Sequence, residues 1–220
     1  MLQVKICGIT QLEQAKAIAR LGATALGYIC VTRSPRYITP ENIALIISAV
    51  THSAPQVEHF GVFANAPLSE ICRVTKTARL SVVQLHGDES PAMCQRLRHA
   101  LDHANLSTVK LVKAIRVRTL EELETALSYE DCVDSLLLDA YHRDQLGGTG
   151  KTLDWRSLQS FSPNRPWFLA GGLTPDNILS ALTQLSPNGI DLSSGVERSP
   201  GNKDLSKVRQ LFDQLKHVSS

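Results

Sequence analysis

The sequence has no apolar stretch approaching the ~18 residues that span a bilayer, so no transmembrane helix is expected. It also lacks an excess of one charge. Its 23 Lys and Arg stand against 21 Asp and Glu, and a net +2 leaves no basic footprint for nucleic acid. The five cysteines (Cys7, Cys30, Cys72, Cys94 and Cys132) are odd in number, scattered and without a CxxC pair, so they read as reduced thiols. The seven histidines show no ligand spacing, and no metal site is expected. At the N-terminus, Met1 and Leu2 run straight into Gln3-Val4-Lys5-Ile6-Cys7, with no basic region and no cleavage site. A cytoplasmic location is the expectation. These absences leave an enzyme or a binding domain. At 220 residues, 43% hydrophobic and 20% charged, the chain can bury a sizeable core.

What is present is a rhythm. Short apolar, β-branched runs at 3–7, 25–31, 57–63, 80–85, 111–115, 135–139, 167–170 and 189–192 alternate with helical patterns. Several helices carry start signals. Thr10 with Glu13 and Thr119 with Glu122 have the form of capping boxes, and Thr39-Pro40, Ser90-Pro91 and Thr174-Pro175 pair a capping hydroxyl with proline at the first helical position. Eight strand–helix units of ~27 residues suit one (β/α)8 TIM barrel with a parallel eight-stranded core, occupying 1–220 as a single domain. An open doubly wound sheet would alternate similarly, but no strand is followed by GxGxxG and no linker divides the chain.

In such barrels the chemistry sits on the loops at the C-terminal ends of the strands. Cys7, Cys30, Arg36, His86, Asp88, Asp139, Gly171-Gly172 and Ser193-Ser194-Gly195 all fall there. The two glycine turns follow the last two strands, where backbone N–H groups often hold phosphate, although glycine also simply permits tight turns. Gly147-Gly148-Thr149-Gly150-Lys151-Thr152 is not a nucleotide P-loop, because the earlier glycine of that pattern is Gln145 here. It reads as a loop over the site or as a plain connection. Cys7 is either a buried thiol or a base whose ionisation needs a nearby cation. Lys5 shares its strand face, and Asp191 is the expected partner of Lys5. Asp139 closes an apolar strand, so it either caps the next loop or, if buried, pairs or holds a proton as a general acid.

Several segments, in order along nearly the whole chain, resemble the phosphoribosylanthranilate isomerase family. They are Lys5-Ile6-Cys7-Gly8-Ile9-Thr10, Ser34-Pro35-Arg36-Tyr37, Gln84-Leu85-His86-Gly87-Asp88-Glu89, Leu138-Asp139, Gly147-Gly148-Thr149-Gly150-Lys151-Thr152, Ala170-Gly171-Gly172-Leu173 and Asp191-Leu192-Ser193-Ser194-Gly195-Val196-Glu197. The resemblance implies an Amadori aldose-to-ketose isomerisation in tryptophan biosynthesis, without a cofactor. It implies Cys7 as general base and Asp139 as general acid. Arg36 would bind the anthranilate carboxylate, and Gly171, Gly172, Ser194 and Gly195 the phosphate. His86 and Gly148 complete the expected substrate-binding set. The expected partner is a small phosphosugar, with a monomer favoured over a homodimer. Tyr28-Ile29-Cys30 departs from the phenylalanines expected on that strand. Two rivals, indole-3-glycerol-phosphate synthase and a non-catalytic phosphosugar-binding barrel, explain less. The former looks longer at its N-terminus, and the latter needs neither Cys7 nor Asp139.

Overall fold

A computed structural model describes residues 2–139 and 155–216. Eight strands, β1 (Gln3–Cys7), β2 (Ala25–Ile29), β3 (Glu58–Phe63), β4 (Val82–Leu85), β5 (Lys110–Arg116), β6 (Ser135–Asp139), β7 (Trp167–Ala170) and β8 (Gly189–Leu192), pair in parallel and in chain order. β8 returns to β1, and the barrel closes. Closure leaves no exposed sheet edge, and alternation along each strand sends one side chain inward and the next out to the helices.

The inner layer is small: Ala25, Phe60, Val82, Val112, Ala114, Leu137, Phe168 and Ala170 form their own cluster. A larger apolar layer lies between the strands and α1 (Leu12–Leu21), α2 (Pro40–Ser53), α3 (Leu68–Ala78), α4 (Pro91–His103), α5 (Leu120–Leu127), α6 (Ile178–Gln184) and α7 (Leu205–Lys216). After β6 the described chain resumes in a single 3₁₀ turn, Trp155–Leu158.

The cap signals succeed where the hydroxyl has no better partner. Thr39 and Ser90 accept from Asn42 N and Met93 N, and Thr119 with Glu122 forms the full capping box. Thr10 does not cap α1. Its hydroxyl donates instead to the Gly201 carbonyl, so Gln11 occupies the cap position without a side-chain hydrogen bond. Thr174 sits one turn ahead of α6, accepting from Asn177 N at 3.3 Å. One element has no counterpart in the sequence reading. A small antiparallel hairpin, β9 (Glu197–Ser199) and β10 (Asn202–Lys203), stands between β8 and α7.

Candidate active site

Strand alternation places Lys5 and Cys7 on the inward face of β1. The β1–β8 register sets Lys5 beside Asp191, and the expected pair forms, Nζ to Oδ2 at 2.7 Å. Both side chains are sealed, at 0% and 8% exposure, and the ammonium also lies 5.2 Å from the centre of the Phe60 ring. Burial would pull the Lys5 ammonium down, but the Asp191 and Cys7 charges outweigh it and hold Lys5 above the usual lysine value. The second carboxylate oxygen of Asp191, Oδ1, is buried with no hydrogen-bond partner among the described residues.

Cys7 is itself buried, at 5% exposure. Burial pushes its thiol up, Lys5 and Lys203 pull it down, and Asp191 adds to the rise, so the thiol stands above its ordinary value. The sequence left Cys7 as either a buried thiol or a base whose ionisation needs a nearby cation. The cations are there, but desolvation is the larger effect. Cys30 lies just past β2, with Sγ 3.8 Å from the Tyr28 carbonyl oxygen, and burial pushes its thiol up to about 12. A thiol so reluctant to ionise makes a poor base at neutral pH.

Arg36, on the loop after β2, meets the hairpin. Its Nε donates to both Glu197 oxygens at 3.0 and 3.1 Å, and Nη2 donates to Oε2 at 2.6 Å. Among the described residues only the Nε–Nη2 edge of the guanidinium is used, so the other can still face a ligand. Glu197 also accepts from Lys203 Nζ at 2.8 Å and Gly201 N at 3.1 Å. Burial would raise the Glu197 carboxyl, but the hydrogen bonds from Arg36 and Lys203 prevail and hold it below the usual carboxylate range. Lys203 Nζ reaches on to the Ser193 carbonyl at 3.1 Å, and Ser193 Oγ donates to the Cys7 carbonyl at 3.1 Å. The hairpin therefore braces Arg36, the turn after β8 and the end of β1 together.

Asp139 ends β6 across the mouth. It is not buried; its side chain is 30% exposed, because the strand's last inward position opens on solvent. Its partner is His86, Nε2 to Oδ2 at 3.2 Å, and Gln84 Nε2 lies 3.3 Å from His86 Nδ1. With the Gln84 amide donating to Nδ1, the His86 Nε2–H donates to Asp139. The loop carrying His86 is held from below. Lys113 Nζ donates to the Gly87 carbonyl at 2.7 Å and to Glu89 Oε2 at 3.0 Å, and Glu89 also accepts from Asn65 N and Gly87 N.

Gly171 and Gly172 follow β7 with φ of +93° and +63°, left-handed backbone that a side chain would strain. A Cβ at Gly195 would overlap the Leu173 carbonyl, so the turns after β7 and β8 pack against each other through glycine. A cavity of about 300 Å³ brings together Cys7, Arg36, His86, Asp139, Gly171, Gly172, Ser194 and Gly195. Gly148 and the rest of its glycine-rich segment lie outside the described residues.

The family model for N-(5'-phosphoribosyl)anthranilate isomerase matches residues 4–214. A curated N-(5'-phosphoribosyl)anthranilate isomerase from Rippkaea orientalis is 57% identical over 219 residues, covering 100% of this chain and 98% of that protein. The chain belongs to the phosphoribosylanthranilate isomerase family. It is an isomerase of tryptophan biosynthesis. Among solved structures, the family member from Thermotoga maritima superposes with a TM-score of 0.85 at 35% identity, over 99% of this chain and 100% of that one. Another family structure, in complex with reduced 1-(o-carboxyphenylamino)-1-deoxyribulose 5-phosphate, gives 0.82 at 33% identity, over 99% and 100%.

Sequence reasoning missed the parts of this isomerase that act through others. Glu197 stood at the end of a recognised segment, but nothing marked Lys203 as its partner, because the hairpin joining them has no periodicity of its own. Lys113 did carry a signal, a charge inside the apolar run Leu111-Val112-Lys113-Ala114-Ile115. A buried lysine requires a partner, and here it is Glu89.

Proposed function

We propose that the isomerisation of N-(5'-phosphoribosyl)anthranilate proceeds in this cavity by general acid–base catalysis, with Asp139 as acid and Cys7 as base. Protonated Asp139 gives its proton to the furanose ring oxygen, and the ring opens to a Schiff base. The Cys7 thiolate removes the C2′ proton, leaving an enolamine. Loss of the enol O–H proton and protonation of the adjacent carbon then give the ketone, so the product is an isomer of the substrate. The free edge of Arg36 takes the anthranilate carboxylate as a planar fork. The backbone around Gly171-Gly172 and Ser194-Gly195 takes the phosphate, with His86 beside the reacting sugar. The product analogue carried by a family structure has these same groups, an aryl carboxylate, a sugar and a phosphate.

The observation that carries this reading is that Cys7 and Asp139 border one small cavity whose walls also include the Arg36 guanidinium, His86 and two glycine turns. The chain is read as one catalytic unit working as a monomer in the cytoplasm. Among the described residues no helix is long and apolar enough to cross a membrane. Among the described residues the exposed large hydrophobics are Leu12, Leu45 and Leu127, each on a different helix.

The test is turnover of freshly made phosphoribosylanthranilate, followed by loss of its fluorescence, in the parent, Cys7→Ala and Asp139→Asn. Both variants are expected to lose ~10²-fold or more in kcat. Near-parental turnover in Asp139→Asn would move the proton donor elsewhere.

A further inference from the structure

The sealed pair of Lys5 and Asp191 has no evident structural purpose. A buried ion pair is seldom more stabilising than two apolar side chains of similar volume. Here the pair sits one layer below Cys7, where the neighbouring strands fill the barrel with Ala25, Phe60 and Val82. Lys5 reaches up the same strand face that carries Cys7, and alternate residues of a strand are only about 6.5–7 Å apart.

We propose that Lys5 is a positioning residue for the base: its ammonium, fixed against β8 by Asp191, stabilises the thiolate form of Cys7 that burial disfavours. This rests on Cys7 being the base. To react, the thiol first releases its proton to solvent through the cavity it borders, and the thiolate gains one from C2′ during turnover. The thiolate that forms is buried and needs a charge partner that does not move. Lys5 has that property, since its Nζ is 2.7 Å from Asp191 Oδ2 and fully enclosed.

The other charged or titratable groups that face Cys7 are Asp191, Lys203, Arg36 and Cys30. Asp191 opposes ionisation. Lys203 and Arg36 are both committed to Glu197, and Cys30 is a neutral thiol. Lys5 is the strongest favourable influence on the thiolate, ahead of Lys203 and larger than the opposition from Asp191.

The experiment reads Cys7 ionisation directly, as ultraviolet thiolate absorbance against pH, taking the difference between each protein and its Cys7→Ser counterpart. The same proteins are assayed for the acid limb of kcat/KM against pH. In Lys5→Met the thiolate titration and the acid limb are expected to rise together by about one unit or more. That is ~10-fold less thiolate at neutral pH, with activity recovering in alkali. Because Lys5→Met leaves Asp191 unpaired, a Lys5→Met/Asp191→Asn double variant is tested beside it. It strands no charge and is expected to shift the same way by a smaller amount, since a repelling anion leaves with the lysine. An unmoved titration in the folded variants, with activity lowered equally at every pH, would make Lys5 purely structural and overturn the proposal. A titration that moves in a protein whose Cys7→Ala variant still turns over would keep the lysine's effect and remove Cys7 as the base.

Discussion

On the β1–β8 side of the mouth, the ammonium and carboxylate groups are sealed against partners, and only Arg36, at 23% exposure, opens toward the cavity. Lys5 and Lys203 are fully enclosed, Glu197 is 4% exposed, and Arg36 extends from Glu197 toward the cavity. On the β4–β6 side, His86 and Asp139 form their pair at 25% and 30% exposure, within reach of water. The two sides suit the two proposed roles. A thiolate must exist in a dry place, so it needs cations that cannot be displaced. An acid that must be reloaded with a proton each turnover does better beside solvent. Sealing has a second consequence, that changes on the first side damage the fold as well as the chemistry.

Glu197→Ala should break the comparison most severely. It leaves Lys203 buried and unpaired, frees the Arg36 fork and removes the acceptor of Gly201 N. Removing one partner of a buried ion pair costs about 3–5 kcal/mol, which denaturant unfolding would register as a lower midpoint. A loss under ~1 kcal/mol would mean that the hairpin is not the brace described. The pH dependence has the sign of any group held below its ordinary value. Because Glu197 is held below its ordinary value, its contribution is complete above about pH 4.3 and is lost as pH falls through the depressed value.

A sealed histidine and the mouth histidine sharpen the contrast. His59 is buried beside Tyr28, whose hydroxyl lies 3.0 Å from Nδ1, and burial pushes its pKa down to about 4. The unfolded chain takes up that proton near pH 6.5, so stability should fall between about pH 6.5 and 4, by up to about 3 kcal/mol. His59→Gln, which keeps a partner for Tyr28, should lose less over that window in urea unfolding at several pH values. An equal loss in parent and variant would place the acid sensitivity elsewhere.

Much of this was legible because barrel physics is repetitive. Strands β1, β6, β7 and β8 fall on the residues that their apolar runs mark, and Asp191 is where an inward Lys5 needs an anion. The glycine turns after β7 and β8 were legible too, since left-handed backbone and a carbonyl in van der Waals overlap exclude other residues. Thr10 misled because a hydroxyl near a helix start takes whichever acceptor the tertiary fold supplies, and Gly201 is 191 residues away. The balance at Cys7 was also beyond reach of the sequence, which reveals nearby cations but not how completely the thiol is removed from water. Asp139 was placed at the mouth by its strand end, but the sequence left open whether it would be buried, and it pairs with His86 while 30% exposed.

The smallest stability effect, and the cleanest separation of the two sides, belongs to His86. Its ring is a quarter exposed and touches the fold through Gln84 and Asp139, while the loop beneath is independently held by Lys113 and Glu89. His86→Ala should therefore unfold within ~0.5 kcal/mol of the parent, as surface substitutions usually do. Its effect should appear in kcat. Without the Nε2 hydrogen bond, the Asp139 carboxyl loses the contact that orients it, and a drop of ~10-fold corresponds to about 1.4 kcal/mol of lost transition-state alignment. Parental stability with reduced kcat would place His86 with the acid as an orienting group. Parental stability with parental kcat would leave Asp139 oriented by other means, and the open side of the mouth would then need no histidine. A large stability loss would show that this side is sealed after all, and the comparison would fail.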